Sequence, residues 1–292
     1  MLFVPAHQQR MVKAAHTRAA DAIVLDLEDG VPVQSKGEAR EMLGLGVDTI
    51  ASHGTDVIVR VNRELAACVQ DISAAVRPGV AAIMLPKVLG PEHIVLIDEL
   101  IGAFEKERAM TIGALRVIAM VETAHALWRI DAIARSVGRL CGLTIGSEDF
   151  SLDCGFPPTQ DNLSNPLRSL VLAARAAGVT PYGLPGSIAV VGDQALFHRI
   201  ARAAADMGLE GAFCVHPSQV PVLNVAFSPT VDDLKWAKGA VDAFDKALCR
   251  GAGAVLFEGR MLDLPVVVRA RALLARERGI PASASTSRSL HG

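Results

Sequence analysis

Three acidic residues crowd four positions at the end of an apolar run: Asp26, Glu28 and Asp29 in "AIVLDLEDG", residues 22–30. Ionised together they repel one another, and carboxylates held out of water are costly without partners. Similar apolar runs end in Arg60 and Asn62 ("VIVRVN"), in Lys87 ("AIMLPK") and in Glu122 ("VIAMVE"), and Asp149 is expected in the loop "GSEDF" that follows another. Side chains alternate along a strand, so Asp26 shares a face with Glu28, Arg60 with Asn62 and Ile58, Lys87 with Leu85 and Ile83, and Glu122 with Met120 and Ile118. Four carboxylates (Asp26, Glu28, Glu122, Asp149) converging with Arg60 and Lys87 require a cation, and hard oxygen ligands suit Mg²⁺. Mg²⁺ takes one or two protein carboxylates and fills its other positions with water or substrate oxygens. Two of the four therefore suffice as direct ligands, and the others orient metal-bound waters or pair with the bases. Arg60 suits bidentate capture of a substrate carboxylate. The chemistry implied is metal-dependent turnover of a small anionic substrate.

Converging these residues requires strands that end on one side. Strand-like runs occupy 2–4, 22–28, 57–62, 81–87, 116–122, 140–146, 180–184 and 211–217, and helix-like segments lie between them near 6–19, 36–52, 64–77, 91–109, 124–136, 166–177 and 193–207. Val- and Ile-rich strands alternating with helices imply parallel pairing. Eight such units fit a (β/α)8 TIM barrel, whose active sites gather at the C-terminal ends of the strands. A doubly wound sheet is the alternative, but no G-x-G-x-x-G follows the first strand. The barrel is expected over 1–228. A C-terminal helical extension, a lid or oligomerisation element, is expected over 229–280, with its second helix starting at Pro265. A disordered tail is expected over 281–292, "ASASTSRSLHG" and its neighbour Pro281 being small and polar.

Composition removes several classes. The 292 residues carry 29 Lys plus Arg against 31 Asp plus Glu, with 4% aromatics, which gives neither the basic footprint nor the stacking platform of a nucleic-acid binder. Five cysteines, Cys68, Cys141, Cys154, Cys214 and Cys249, are odd in number and lack C-x-x-C spacing, which indicates a reducing, cytoplasmic setting. The chain opens on a strand-like "LFVP" rather than a signal peptide, and no membrane span is expected. Lys36 and Arg40 on the second helix either meet the "DLED" acids or form surface ion pairs. Trp128 and Trp236 are expected to pack.

The ordered motifs "LFVPA", "ADAIVLDLEDGV" with "SKGEAR", "VIVRVN", "IMLPKV", "VIAMVETA", "GSEDFSLDCG", "AARAAGV", "GAFCVHPSQV", "NVAFSPT" and "GRMLDLPVVVRA" together resemble the citrate lyase beta subunit and malyl-CoA lyase group of the HpcH/HpaI aldolase superfamily, from residue 2 to about residue 271. The resemblance implies a TIM barrel with Mg²⁺ on Glu122 and Asp149. Arg60 would bind the keto-acid carboxylate or its enolate, and backbone N–H groups of Gly146, Ser147, Glu148 and Asp149 would seat the same acid. Asp26, Glu28, Asp29 and Lys87 would form the surrounding layer. The reaction implied is reversible carbon–carbon cleavage of a 3-hydroxy-acyl thioester, on CoA or an acyl carrier protein, to an α-keto acid and an acyl thioester. Asp263 would reach a neighbouring subunit's site for proton transfer, in a homo-oligomer built from trimers; His216 is the second candidate, and is otherwise a structural histidine before a proline turn. The chain departs from the pattern at Ala6, where members carry Gly, at Gly211-Ala212, where Gly-Lys is common, and around Gly183, where an Asp is often found. These departures touch the thioester side and leave open a thioester hydrolase, a pyruvate-yielding aldolase, or a non-catalytic metabolite-binding or carrier-complex subunit.

Overall fold

The computed structural model describes residues 1–277; the tail expected over 281–292 lies outside them. Two compact units divide the chain, Met1–Phe227 and a second that begins at Ser228.

In the first unit, short Val- and Ile-rich runs form β1 (Leu2–Pro5), β2 (Ala22–Asp26), β3 (Asp56–Arg60), β4 (Val80–Leu85), β5 (Arg116–Val121), β6 (Leu140–Ile145) and β7 (Thr180–Tyr182), paired in sequence order. Every pair is parallel, as continuous apolar runs buried on both faces require. Helices cross between them: α1 (Gln9–Ala14), α2 (Lys36–Ala51), α3 (Leu65–Ala75), α4 (Pro91–Glu107), α5 (Ala124–Leu127), α6 (Ile130–Ala134), α7 (Ser147–Cys154), α8 (Gln160–Ala177), α9 (Gln194–Asp206) and α10 (Val220–Phe227). One face of the sheet packs Ile23, Leu25, Val57, Val59, Ile83 and Leu85 into the main core with helix residues such as Leu43 and Ile50. The other carries Val24, Ile58, Met84, Ile118 and Met120 with Phe3 and Tyr182. Asp26 and Arg60 are register partners, so the sheet itself sets acid beside base.

The expected eighth strand at 211–217 is not formed. Cys214 makes a single bridge to Leu2, and the segment bonds to β1 through Phe3 N–H to Cys214 O (2.9 Å) and, just past the end of β7, through Gly183 N–H to Gly211 O (3.1 Å). Gly211 weakens strand preference at one end, and Pro217, which cannot donate to a ladder, opens a 3₁₀ turn at the other. Other elements also differ from expectation. The helix expected over 124–136 is broken into α5 and α6. Helix α8 begins at Gln160, capped by Thr159, and carries Pro166 in its interior rather than at its start. Asp149 lies in the first turn of α7, not in a loop. Trp128 is 89% exposed and does not pack.

In the second unit, α11 (Val231–Leu248) opens with a Thr230–Asp233 capping box. The antiparallel pair β8 (Val255–Phe257) and β9 (Arg260–Leu262) turns through Glu258 and Gly259, both at positive φ, the two-residue hairpin geometry. Helix α12 (Leu264–Glu277) follows, one residue before the expected Pro265. Phe244, Leu262 and Val267 form its core with Trp236 and Phe257 against them, so Trp236 does pack. A side chain on Gly239 would come within 2.6 Å of the Phe257 ring, which explains glycine in mid-helix there. Among the described residues no helix is long and apolar enough to cross a membrane.

Candidate active site

The strand ends bring the acidic and basic residues together as ion pairs. Arg60 grips Asp26 through two parallel bonds, Nε to Oδ1 and Nη2 to Oδ2, both 2.7 Å. This fork-to-carboxylate geometry is open to Arg and not to Lys. Arg60 Nη1 also lies 3.1 Å from Glu28 Oε2, and its guanidinium sits 4.6 Å above the Phe3 ring. Asp26 in turn accepts the backbone N–H groups of Glu28 and Gly30 at 2.9 and 2.8 Å, which fixes the turn carrying the other two acids.

Lys87 is where strand parity misleads. Its expected face-mates Ile83 and Leu85 point into the helix-side core, which would carry Lys87 away from the other charges. Instead β4 ends at Leu85 and Lys87 adopts a left-handed backbone, φ +48°. That conformation is unfavourable for a residue with a Cβ, and here bonds at both ends of the residue hold it. The Lys87 N–H donates to Glu122 Oε2 (2.6 Å). The ammonium reaches Glu28 Oε1 at 2.8 Å, Asp149 Oδ2 at 3.1 Å and Asp29 Oδ2 at 3.4 Å. One residue thus touches both Glu122 and Asp149.

Glu122 is 4% exposed. Burial, reinforced by the negative charges of Glu28 and Asp149, pushes its carboxyl up to about 7 against the opposing Lys87 N–H and ammonium. Burial likewise raises Glu28, with Arg60 and Lys87 opposing. Burial alone would lower Arg60 and Lys87, but the Asp26 carboxylate on the first and Glu28 on the second raise both, so both stay charged. Gly146 leaves space for Glu122: a Cβ there would lie 2.3 Å from Glu122 Oε1.

These residues fit Mg²⁺. Five carboxylates (Asp26, Glu28, Asp29, Glu122, Asp149) gather around only two paired cations, Arg60 and Lys87, an excess of negative charge that a divalent ion offsets. Glu122, buried and raised, gains most from a nearby cation, and Lys87 shows that a positive charge sits beside Asp149. Among the described residues no group of three or more His, Cys, Asp or Glu is placed to hold a metal ion by itself; Mg²⁺ needs only one or two protein carboxylates.

Lys36 does not meet the "DLED" carboxylates, nor do Lys36 and Arg40 form surface pairs. The Lys36 ammonium donates to the backbone oxygens of Leu27 (2.9 Å) and Glu28 (3.0 Å) and to Asn62 Oδ1. Arg40 Nε bonds the fully buried Asp71 at 2.6 Å. Asp71 was invisible to motif reasoning; its signal is a charge beside Cys68, Ile72 and Ala75, the buried stripe of α3.

Around this centre, Ser147 opens α7 with its Oγ buried and unpartnered, and Glu148 Oε1 accepts from Ser187 Oγ at 2.6 Å. His216 does not end a strand: it caps the 3₁₀ turn at Pro217, its Nδ1 2.7 Å from Ser218 Oγ. Asp263, in the second unit, is exposed and accepts the Val266 N–H at 3.3 Å, capping α12. Ala6 is buried, its N–H on Asp26 O. Gly183 has φ +148° and would meet Leu167 within 2.9 Å if it carried a Cβ.

The model of the HpcH/HpaI aldolase/citrate lyase family matches residues 1–217. The citrate lyase subunit beta of Leuconostoc mesenteroides subsp. cremoris is 30% identical over 279 residues, 94% of this chain and 91% of its own length. Human mitochondrial citramalyl-CoA lyase is 30% identical over 286 residues, 93% of this chain and 83% of its own length. The crystal structure of protein CitE from Mycobacterium tuberculosis with magnesium, acetoacetate and coenzyme A superimposes with a TM-score of 0.76 at 29% identity, covering 95% of this chain and 97% of that one.

Proposed function

Because the chain belongs to the HpcH/HpaI aldolase/citrate lyase family, whose relatives here are lyases, we propose that it cleaves, or in reverse forms, the carbon–carbon bond of a 3-hydroxy-acyl thioester. The products are an α-keto acid and an acyl thioester. The observation that carries this reading is the joining of Glu122 and Asp149 through Lys87, with the Arg60 fork beside them. Glu122 and Asp149 would hold Mg²⁺, which when bound supplies Lewis acidity toward the oxygen that becomes the keto group. Arg60, itself largely buried, stabilises the negative charge that develops during cleavage. The first N–H groups of α7, from Ser147 to Asp149, have no intrahelical acceptor and seat the keto-acid carboxylate. Asp26 orients Arg60, and Glu28 and Asp29 hold Lys87 and would lie behind the metal ligands.

A base must take the hydroxyl proton on cleavage. Asp263 of a second copy is assigned that role, which requires a homo-oligomer; the family resemblance implies one built from trimers. His216 is engaged with its own turn, which favours Asp263. Closure into an eight-unit barrel belongs to the same reading and is supported by the bonds of residues 211–214 to β1 and to Gly183 at the end of β7. The extension beyond residue 228 would serve as lid or oligomerisation element. Ala6 and the missing lysine at Gly211-Ala212 favour an acyl or carrier arm unlike those of citryl or malyl thioesters.

The test is a screen of CoA thioesters with Mg²⁺, following glyoxylate, pyruvate or oxaloacetate together with acyl-CoA. Keto acid plus acyl-CoA supports the lyase. Free CoA points to hydrolysis, keto acid without any thioester requirement to an aldolase, and no product to a binding subunit. Activity lost in Glu122→Ala and kept in His216→Ala is the expected pattern.

A further inference from the structure

The motif "SKGEAR" is not absorbed by the roles above, and its two bases do not reach the mouth carboxylates directly. They belong to a buried chain of bonds that starts outside the site. Asp71 on α3, 0% exposed, is held by Arg40 Nε (2.6 Å) on one oxygen. Its other oxygen accepts the Asn62 backbone N–H (2.7 Å) and side-chain Nδ2 (2.6 Å). Asn62 passes the contact on: Nδ2 also donates to Leu27 O (2.7 Å), and Oδ1 accepts from Lys36. Lys36 ends on Leu27 O and Glu28 O. The backbone on both sides of Glu28 is thereby clamped, while its carboxylate spans Arg60 and Lys87.

We propose that Arg40, Asp71, Asn62 and Lys36 form a positioning relay that fixes Glu28, and through Glu28 and Lys87 sets the separation of Glu122 and Asp149. The four are positioning residues: they bond one another and the Leu27 and Glu28 backbone. A buried anion such as Asp71 is costly unless fully bonded, and a hydrophobic residue there would pack α3 more simply; what the ion adds is a fixed reference point for the β3–α3 turn. In the low-dielectric interior the bonds of such a network strengthen one another, and a partly satisfied one is costly, so loss of one member loosens the next.

The metal-binding arm of the test rests on the Mg²⁺ reading; the crystallographic arm does not. The crystal structure of metal-free Lys36→Met is expected to show Glu28 out of ion-pair distance of Lys87 or Arg60 while the strands superimpose. Glu28 unmoved overturns the relay. In calorimetric Mg²⁺ titrations well below the melting point, Lys36→Met and Asp71→Asn should each bind about tenfold more weakly, the usual effect of losing a group behind a metal ligand. The double variant should be no weaker than either single, because both break one chain. Affinity within twofold of wild type, or losses that multiply to a hundredfold, overturns the proposal. If the wild type itself takes up no Mg²⁺, the metal reading fails and the crystal structure alone decides the relay.

Discussion

Replacing Glu122 by Gln should stabilise the metal-free protein while removing its affinity for Mg²⁺. The carboxyl is pushed from 4.5 to about 7, first by burial and then by Glu28 and Asp149. Its folded-state pKa is raised, so the folded protein binds more protons than the unfolded chain between these values. Stability therefore falls as pH rises from about 4.5 to about 7 and stays reduced above. At 1.36 kcal/mol per pKa unit the loss approaches about 3 kcal/mol at pH 8.5. Glutamine has nearly the same shape, its oxygen can still accept the Lys87 N–H, and it never pays the ionisation cost. Calorimetry in chelator should show Glu122→Gln melting about 5–10 °C above wild type at pH 8.5 and level with it near pH 4.5. Saturating Mg²⁺ should reverse the order, because only wild type gains: about 4.1 kcal/mol at a thousand times the dissociation constant, more than the deficit of about 3 kcal/mol. A variant equal to wild type at pH 8.5, or an advantage that does not change with pH, would refute the argument that this carboxylate is held at a cost for the sake of a cation.

Gly146→Ala places a methyl 2.3 Å from Glu122 Oε1; Mg²⁺ affinity should fall at least about tenfold, and an unchanged titration curve would remove Glu122 from the metal site. Arg60→Lys keeps the charge but loses the fork on Asp26 and the stack on Phe3. Turnover should drop by about 10²–10³-fold, chiefly in kcat, and a change confined to KM would mean that Arg60 only binds substrate. Glu28→Gln cuts the charge that anchors Lys87. Weaker Mg²⁺ binding and slower turnover are expected, about 10–100-fold, against which wild-type values for both would count decisively.

Strands β1 to β6 were legible because Val- and Ile-rich runs bounded by turns have few other fates. Parity placed Asp26, Glu28, Arg60 and Glu122 on one face for the same reason. It failed at Lys87, where a left-handed residue breaks the alternation just past the strand end; a lysine carries no sequence signal for that conformation. Helix α7 was missed although Ser147, Glu148 and Asp149 are the small and acidic residues that helix starts favour; the glycine before them suggested a loop. Helix α8 was expected near 166–177, but Thr159 caps it seven residues before Pro166. The short run 211–214 has strand composition without strand length. The bonds from Asp71 through Asn62 to Lys36 were beyond reach, since three distant segments meet there and only the charge on the buried side of α3 hinted at it.

The bond from Phe3 N–H to Cys214 O also has a kinetic meaning. About 210 residues separate its two ends, and ribosomes add roughly 5–20 residues per second, so the outer edge of β1 waits on the order of 10–40 s for its partner. An unpaired strand edge is a template for other chains, and contacts so distant in sequence form late and slowly. Faults in residues 211–214 should therefore be felt at birth, as aggregation and dependence on chaperones, more than in the melting temperature of molecules that have already folded.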